Sequence, residues 1–132
     1  MPFYQCTTQA GLLTDGQKAD LAREITRIHC AATGAPESFV TVSYHEVSPA
    51  DLYVAGEPSS ASRITGLIRA GRPESVTLEL LTGISHAWTT VTGRPESDIA
   101  CFLQEIDARH VMEGGRVLPR PGEEQRWLAH QN

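Results

Sequence analysis

Pro2, His29, Arg69, Arg72 and Glu113 are the residues of this chain whose types suit acid–base chemistry on an anion. Pro2 follows the initiator methionine, which is usually removed when the next residue is small. Its removal leaves a free secondary amine, and an ordinary α-amino group titrates near pH 8, close enough to neutrality to serve as base or acid. A chain that keeps Met1 has only an amide nitrogen at that position. Arg69 and Arg72 flank Ala70-Gly71, where a strand is expected to end. Two guanidinium forks beside a glycine can grip a carboxylate bidentately, although such a pair by itself is more often solvated surface. His29 borders an apolar helical stripe, and Glu113 precedes the pair Gly114-Gly115.

Other chemistries lack their residues. The chain has no His-Glu-x-x-His, no Cys-x-x-Cys, no phosphate-binding glycine loop and no nucleophile elbow. His45, His86, His110 and His130 have no ligand-like partners at useful spacing, so neither a metal nor a cofactor is expected. His29 and Cys30 are sequence neighbours, about 100° apart around a helix, which argues against a Cys–His nucleophilic pair.

The frame that must hold these residues is a chain of 132 residues, enough for one domain with one core. Net charge is −5 and the basic residues are scattered, so no nucleic-acid footprint is present. Three cysteines, Cys6, Cys30 and Cys101, read as reduced core thiols. The start MPFYQCTT lacks the pattern of a secretory signal, and no apolar run reaches membrane-spanning length. A soluble, cytoplasmic protein without a membrane partner is the expectation.

A duplication organises the chain. Thr33-Gly34-Ala35-Pro36-Glu37-Ser38 recurs 59 positions later as Thr92-Gly93-Arg94-Pro95-Glu96-Ser97, and the same offset carries Leu21 onto Leu80 and Ile25 onto Ile84. A third string, Pro73-Glu74-Ser75, is out of register and reads as coincidence. Thr14 and Gln17 form a capping box ahead of a helical stripe of Leu21, Ile25, Ile28 and Ala32, which Gly34 and Pro36 end. Pro73 opens the second helix, with Val76, Leu80, Ile84, Ala87 and Trp88 on its stripe; Gly83 weakens it by about 1 kcal/mol relative to alanine. Strands are predicted at Phe3–Thr8, Val40–His45, Arg63–Ala70 and Ile99–Leu103.

The fold class is therefore α/β (α+β): a duplicated βαβ making a four-stranded mixed sheet with two helices on one face. It is one domain, 1–132, with units at roughly 2–46 and 62–106 and a tail at 114–132. The bare sheet face calls for a second copy of the chain. Val47 to Ser62 and the tail from Gly114 fall outside the repeat and are expected to wrap a neighbour.

The Met-Pro start on a duplicated βαβ resembles the tautomerase superfamily, and the chain is similar to its cis-3-chloroacrylic acid dehalogenase group. The strings that carry the resemblance are Glu24-Ile25-Thr26-Arg27-Ile28-His29, Thr33-Gly34, Gly66-Leu67-Ile68-Arg69-Ala70-Gly71-Arg72, and the stretch Met112-Glu113-Gly114-Gly115-Arg116-Val117-Leu118-Pro119-Arg120-Pro121-Gly122. The resemblance implies a homotrimer, Pro2 as catalytic amine, His29, Arg69 and Arg72 as carboxylate ligands, and Glu113 as activator of water. Where that group has an active-site tyrosine, this chain has Phe102, which implies weak dehalogenation at most. The activity implied is a cofactor-independent tautomerase or hydratase on small 2-oxo or α,β-unsaturated carboxylates. The alternatives are a hydrolytic cis-3-chloroacrylic acid dehalogenase, or a non-catalytic carboxylate-binding module if Met1 is retained. Arg69 and Arg72, at a strand end, are both expected to be dispensable for folding.

Overall fold

The computed structural model describes residues 1–130. Strand β1 (Phe3–Gln9) leads to helix α1 (Asp15–Thr33) and returns as β2 (Thr41–Val47); a hairpin of β3 (Tyr53–Val54) and β4 (Glu57–Pro58) follows. The second unit repeats the plan with β5 (Ser62–Arg69), α2 (Glu74–Thr92), β6 (Ile99–Ile106) and the hairpin β7 (Met112–Glu113) and β8 (Arg116–Val117); α3 (Glu124–Ala129) ends the described chain. The sheet order is β2-β1-β5-β6. Each unit pairs its own strands in parallel, and β1 meets β5 antiparallel at the centre.

The helices form where the sequence signals place them. Thr14 accepts from the Gln17 amide and Gln17 Oε1 accepts from the Thr14 amide, closing the capping box. Leu21, Ile25 and Ile28 of α1 and Leu80, Ile84, Ala87 and Trp88 of α2 are buried in one core with Tyr4, Cys6, Ile64 and Ile68 of the central strands. Gly83 has a packing reason for its place in mid-helix: a Cβ there would stand 2.9 Å from Ile28 Cγ2, so the glycine lets α1 and α2 close on each other. The string Pro-Glu-Ser has a local meaning in all three copies, since Pro36, Pro73 and Pro95 each precede the first residue of a helix or 3₁₀ turn.

One expectation needs correction. Val47 to Ser62 is not wholly outside the duplication: β3–β4 and β7–β8 are the same hairpin 59 residues apart, with Gly56 answering Gly115. The short strands of the two hairpins share no residue at matching positions, and the turns share only the glycine, so the sequence hides this part of the repeat. The tail packs on its own chain. Trp127 packs edge-to-face on Phe39 at 5.6 Å, donates Nε1–H to the Val117 carbonyl, and sits beneath the Arg116 guanidinium. Met1, Ala108 and Leu118 join Leu67, Ile106, Val111 and Trp127 in a second small core, which covers one end of the sheet face away from the helices. The rest of that face is open, with Phe3 and Phe102 exposed.

Gly66 ties the fold to the chemistry. It faces Tyr4 across the antiparallel pair, and a Cβ would come within 2.5 Å of the tyrosine ring and 2.8 Å of Leu103. Gly66→Ala is expected to lower unfolding free energy by about 1–3 kcal/mol through overpacking, as measured by denaturant melts, and to shift the ring resonances of Tyr4 and His29. An unperturbed melt and spectrum would show that this contact is not tight.

Candidate active site

Strand directions collect the candidate residues at one end of the sheet. The crossover reverses the chain, so the end of α1, carrying His29, returns beside the start of β1. Because β5 runs antiparallel to β1, its last residue, Arg69, lies at that same end, as does the end of β6, where Ile106 pairs with Arg69. The β7–β8 hairpin then brings Glu113 over the N-terminus. Gly114 and Gly115 turn it with φ of 59° and 79°, a left-handed pair that suits a two-residue hairpin loop.

His29 is 1% exposed. Its Nδ1 lies 2.8 Å from the Tyr4 hydroxyl. Burial pushes the Tyr4 phenol well above its ordinary range, so it stays protonated and donates to Nδ1. The ring proton of His29 is thereby placed on Nε2, which is buried and has no partner. Burial, then the cations of Arg72, Arg69 and the N-terminus, push the histidine down to about 3, so it is a neutral N–H donor at physiological pH.

The two arginines have separate roles. Arg69 is 2% exposed and committed to its own chain. It donates Nη1–H to the Pro119 carbonyl at 2.8 Å and Nη2–H to Glu124 Oε1 at 2.7 Å, and its guanidinium lies 5.3 Å from the Phe39 ring centre. Arg72 comes after a turn at Gly71, whose φ of 117° favours glycine. It reaches back to donate Nη1–H to the Arg69 carbonyl at 3.3 Å, while its Nη2 is buried without a hydrogen-bond partner. Burial and the Arg69 cation disfavour the charge on Arg72, which makes it receptive to an anion. The expectation that both arginines are dispensable for folding is therefore corrected for Arg69, which anchors the tail.

At the N-terminus, the Met1 ammonium donates to Glu113 Oε1 at 2.6 Å. Met1 and Pro2 are both buried, and the Pro2 carbonyl accepts from the Thr41 amide at 3.1 Å, fixing the start of β1. Phe102 stands apart from this group within one chain. It is 54% exposed on the open sheet face, beside a groove shared with Tyr53, Val54, Arg63 and Ala100. Ile106 lies four positions further along β6, about 13 Å of strand.

The duplication places an equivalent location at the opposite end of the sheet, and there the chemistry is missing. The 59-residue offset puts Trp88 where His29 is, Ala10 and Leu13 where Arg69 and Arg72 are, and Val54 where Glu113 is. Sequence reasoning missed Tyr4 and Glu124 as site residues. Tyr4 had a signal, the alternation with Cys6 that points it at the helix layer. Glu124 had none, because nothing in the tail distinguishes it from Glu123. Among the described residues, no group of three or more His, Cys, Asp or Glu side chains is arranged to hold a metal, and no helix is long and apolar enough to cross a membrane.

The chain matches the model of the Tautomerase_3 family, "Putative oxalocrotonate tautomerase enzyme", over residues 1–132. Among solved structures it is similar to N1, a member of the cis-3-chloroacrylic acid dehalogenase family, at 28% identity and TM-score 0.96, over 99% of this chain and 93% of that one. It is similar to native Ps01740 at 37% identity and TM-score 0.83, over 85% of this chain and 100% of that one. A fused 4-OT solved as a symmetric trimer shares the fold at 22% identity and TM-score 0.79, over 86% of this chain and 92% of that one. No curated protein matches the chain. With a family match along its whole length and a mixed four-stranded sheet built from a duplicated βαβ, the chain belongs to the Tautomerase_3 family of the tautomerase superfamily.

Proposed function

We propose that this chain, once Met1 is removed, is a cofactor-independent tautomerase and hydratase of small 2-oxo or α,β-unsaturated carboxylates, with Pro2 as its acid–base group. The observation that carries the reading is the pair of buried, unpartnered donors, Arg72 Nη2 and His29 Nε2, at the sheet end where the N-terminus meets Glu113. Buried donors without partners are costly, and a substrate carboxylate supplies two acceptor oxygens. Loss of Met1 empties a space of side-chain size and moves the free amine to Pro2.

In tautomerisation, the Pro2 amine takes a proton from the enol oxygen or the acidic carbon and returns it at the other position. Arg72 and His29 hold the carboxylate and stabilise the charge that develops on the conjugated system. In hydration, Glu113 takes a proton from water, the oxygen adds to the β-carbon, and protonated Pro2 gives a proton to the α-carbon. The open face, and the trimeric assembly of the fused 4-OT neighbour, support a homotrimer. In that assembly Phe102 would meet the chemistry only through an adjoining copy. A second reading is favoured by the buried Met1 and its ammonium on Glu113: a chain that keeps Met1 binds carboxylates without turning them over.

Intact mass and steady-state kinetics separate the two readings. The mature chain should start at Pro2, and Pro2→Ala should lose about 10²–10⁴ in kcat/KM. Glu113→Gln should abolish hydration and leave tautomerisation within a few fold. Retained Met1 with full activity would sink the proline mechanism.

The arginines should respond differently. Arg72→Ala should lose about 2–5 kcal/mol of transition-state stabilisation with little change in folding. Arg69→Ala leaves the Glu124 carboxylate buried without its cation, and should cost about 3–5 kcal/mol of stability. Equal effects of the two substitutions on both measurements would contradict this division.

The His29 pKa sets a pH dependence of stability. The folded value of about 3 lies below the ordinary 6.5, so as pH falls the unfolded chain takes this proton first. The stabilisation is complete above about pH 6.5 and is lost towards about pH 3. His29→Asn keeps an acceptor for Tyr4 and cannot titrate, so its loss of stability across that range should be shallower than the wild type's in denaturant melts. Parallel curves would mean that His29 does not titrate differently on folding.

A further inference from the structure

The tail brings its own carboxylate to the paired arginines. Glu124 is 6% exposed. Its Oε1 accepts from Arg69 Nη2 at 2.7 Å and lies 3.8 Å from Arg72 Nη2; the Gly122 amide donates to both of its oxygens, at 3.1 and 3.0 Å. Burial raises the carboxyl, but the Arg69 hydrogen bond and backbone amides outweigh it and hold Glu124 below its usual range, so it is ionised.

Two of the cations at this end of the sheet face carboxylates directly. The N-terminal ammonium faces Glu113 and Arg69 faces Glu124. Arg72 remains without a carboxylate at hydrogen-bonding distance. Arg72 Nη2 and His29 Nε2 together match one carboxylate group; Arg116 Nη1 is also unpartnered, on a guanidinium that stacks on Trp127 and donates Nη2–H to its carbonyl. A second carboxylate on the same ligand that turned to Arg69 would be desolvated beside the ionised Glu124.

We propose that Glu124 is a specificity-determining residue that occupies Arg69 and so limits the site to ligands with a single carboxylate. This rests on the carboxylate-binding reading above. It assigns to the tail the exclusion of dicarboxylates, since Glu124 stands where the second carboxylate of such a ligand would seek its cation.

The test compares acrylate with maleate, which is acrylate bearing a second carboxylate, by ligand-observed NMR titration of the mature chain at a pH where maleate is a dianion. Wild type should bind acrylate on the order of tenfold more tightly than maleate. Glu124→Gln keeps an acceptor for Arg69 and removes the charge; it should erase or invert that ratio, whereas Glu124→Asp should retain the wild-type order. A merely structural role would weaken both ligands together. A wild-type preference for maleate overturns the proposal even if Glu124→Gln does not fold, and so does an unchanged ratio in a folded Glu124→Gln. If acrylate binds and Arg72→Ala abolishes that binding while the ratio ignores Glu124, only the role of Glu124 falls. If acrylate fails to bind wild type, the carboxylate-site reading falls with it.

Discussion

The antiparallel junction of β1 and β5 is the constraint on which the site depends. Within each βαβ unit the strands are parallel, and each helix carries the chain back to the end where its first strand began. Joining the units head to head at Phe3–Leu67 and Tyr4–Gly66 superimposes the beginning of one unit on the end of the other. The N-terminus, the end of α1, the end of β5 and the second hairpin then meet without any long connection. A slip of one residue in this register would move Tyr4 off Gly66 and reverse the face to which every side chain of β1 points.

Burial then gives those side chains their chemistry. Arg69 and Glu124 satisfy each other in a place almost closed to solvent, and this pairing pins the tail over the sheet. Tyr4 fixes the tautomer of His29 because burial keeps the phenol protonated. Arg72 Nη2 and His29 Nε2 are left without hydrogen-bond partners. A buried polar group without a partner is expensive, and these two are among the donors a bound carboxylate would satisfy.

Duplication created two equivalent ends, and one has become packing. Trp88 occupies the helix position of His29 and is fully buried in the main core, while Leu13 in the position of Arg72 is buried with it. The hairpin over that end presents Tyr53 and Val54 to solvent. Its turn needs a left-handed residue at Ala55, φ 53°, where the chemical end has Gly114. The two ends share a backbone plan and differ in what their side chains do with it.

The sequence by itself determined the elements and their duplication. The capping box at Thr14, the stripes on both helices, the alternation of the strands and the 59-residue offset are local patterns, and local patterns set helix and strand wherever propensity and burial agree. It also singled out His29, Arg69, Arg72 and Glu113 as residue types, with Pro2, though their separation along the chain hides which of them meet. Only the tertiary structure decided that Arg69 is spent on Glu124 while Arg72 Nη2 keeps no hydrogen-bond partner, that Phe102 lies on the open face, and that the tail folds onto its own chain. Those outcomes depend on which donor finds which acceptor across 55 residues of chain and on which face a hairpin closes, and neither is encoded in composition, periodicity or spacing.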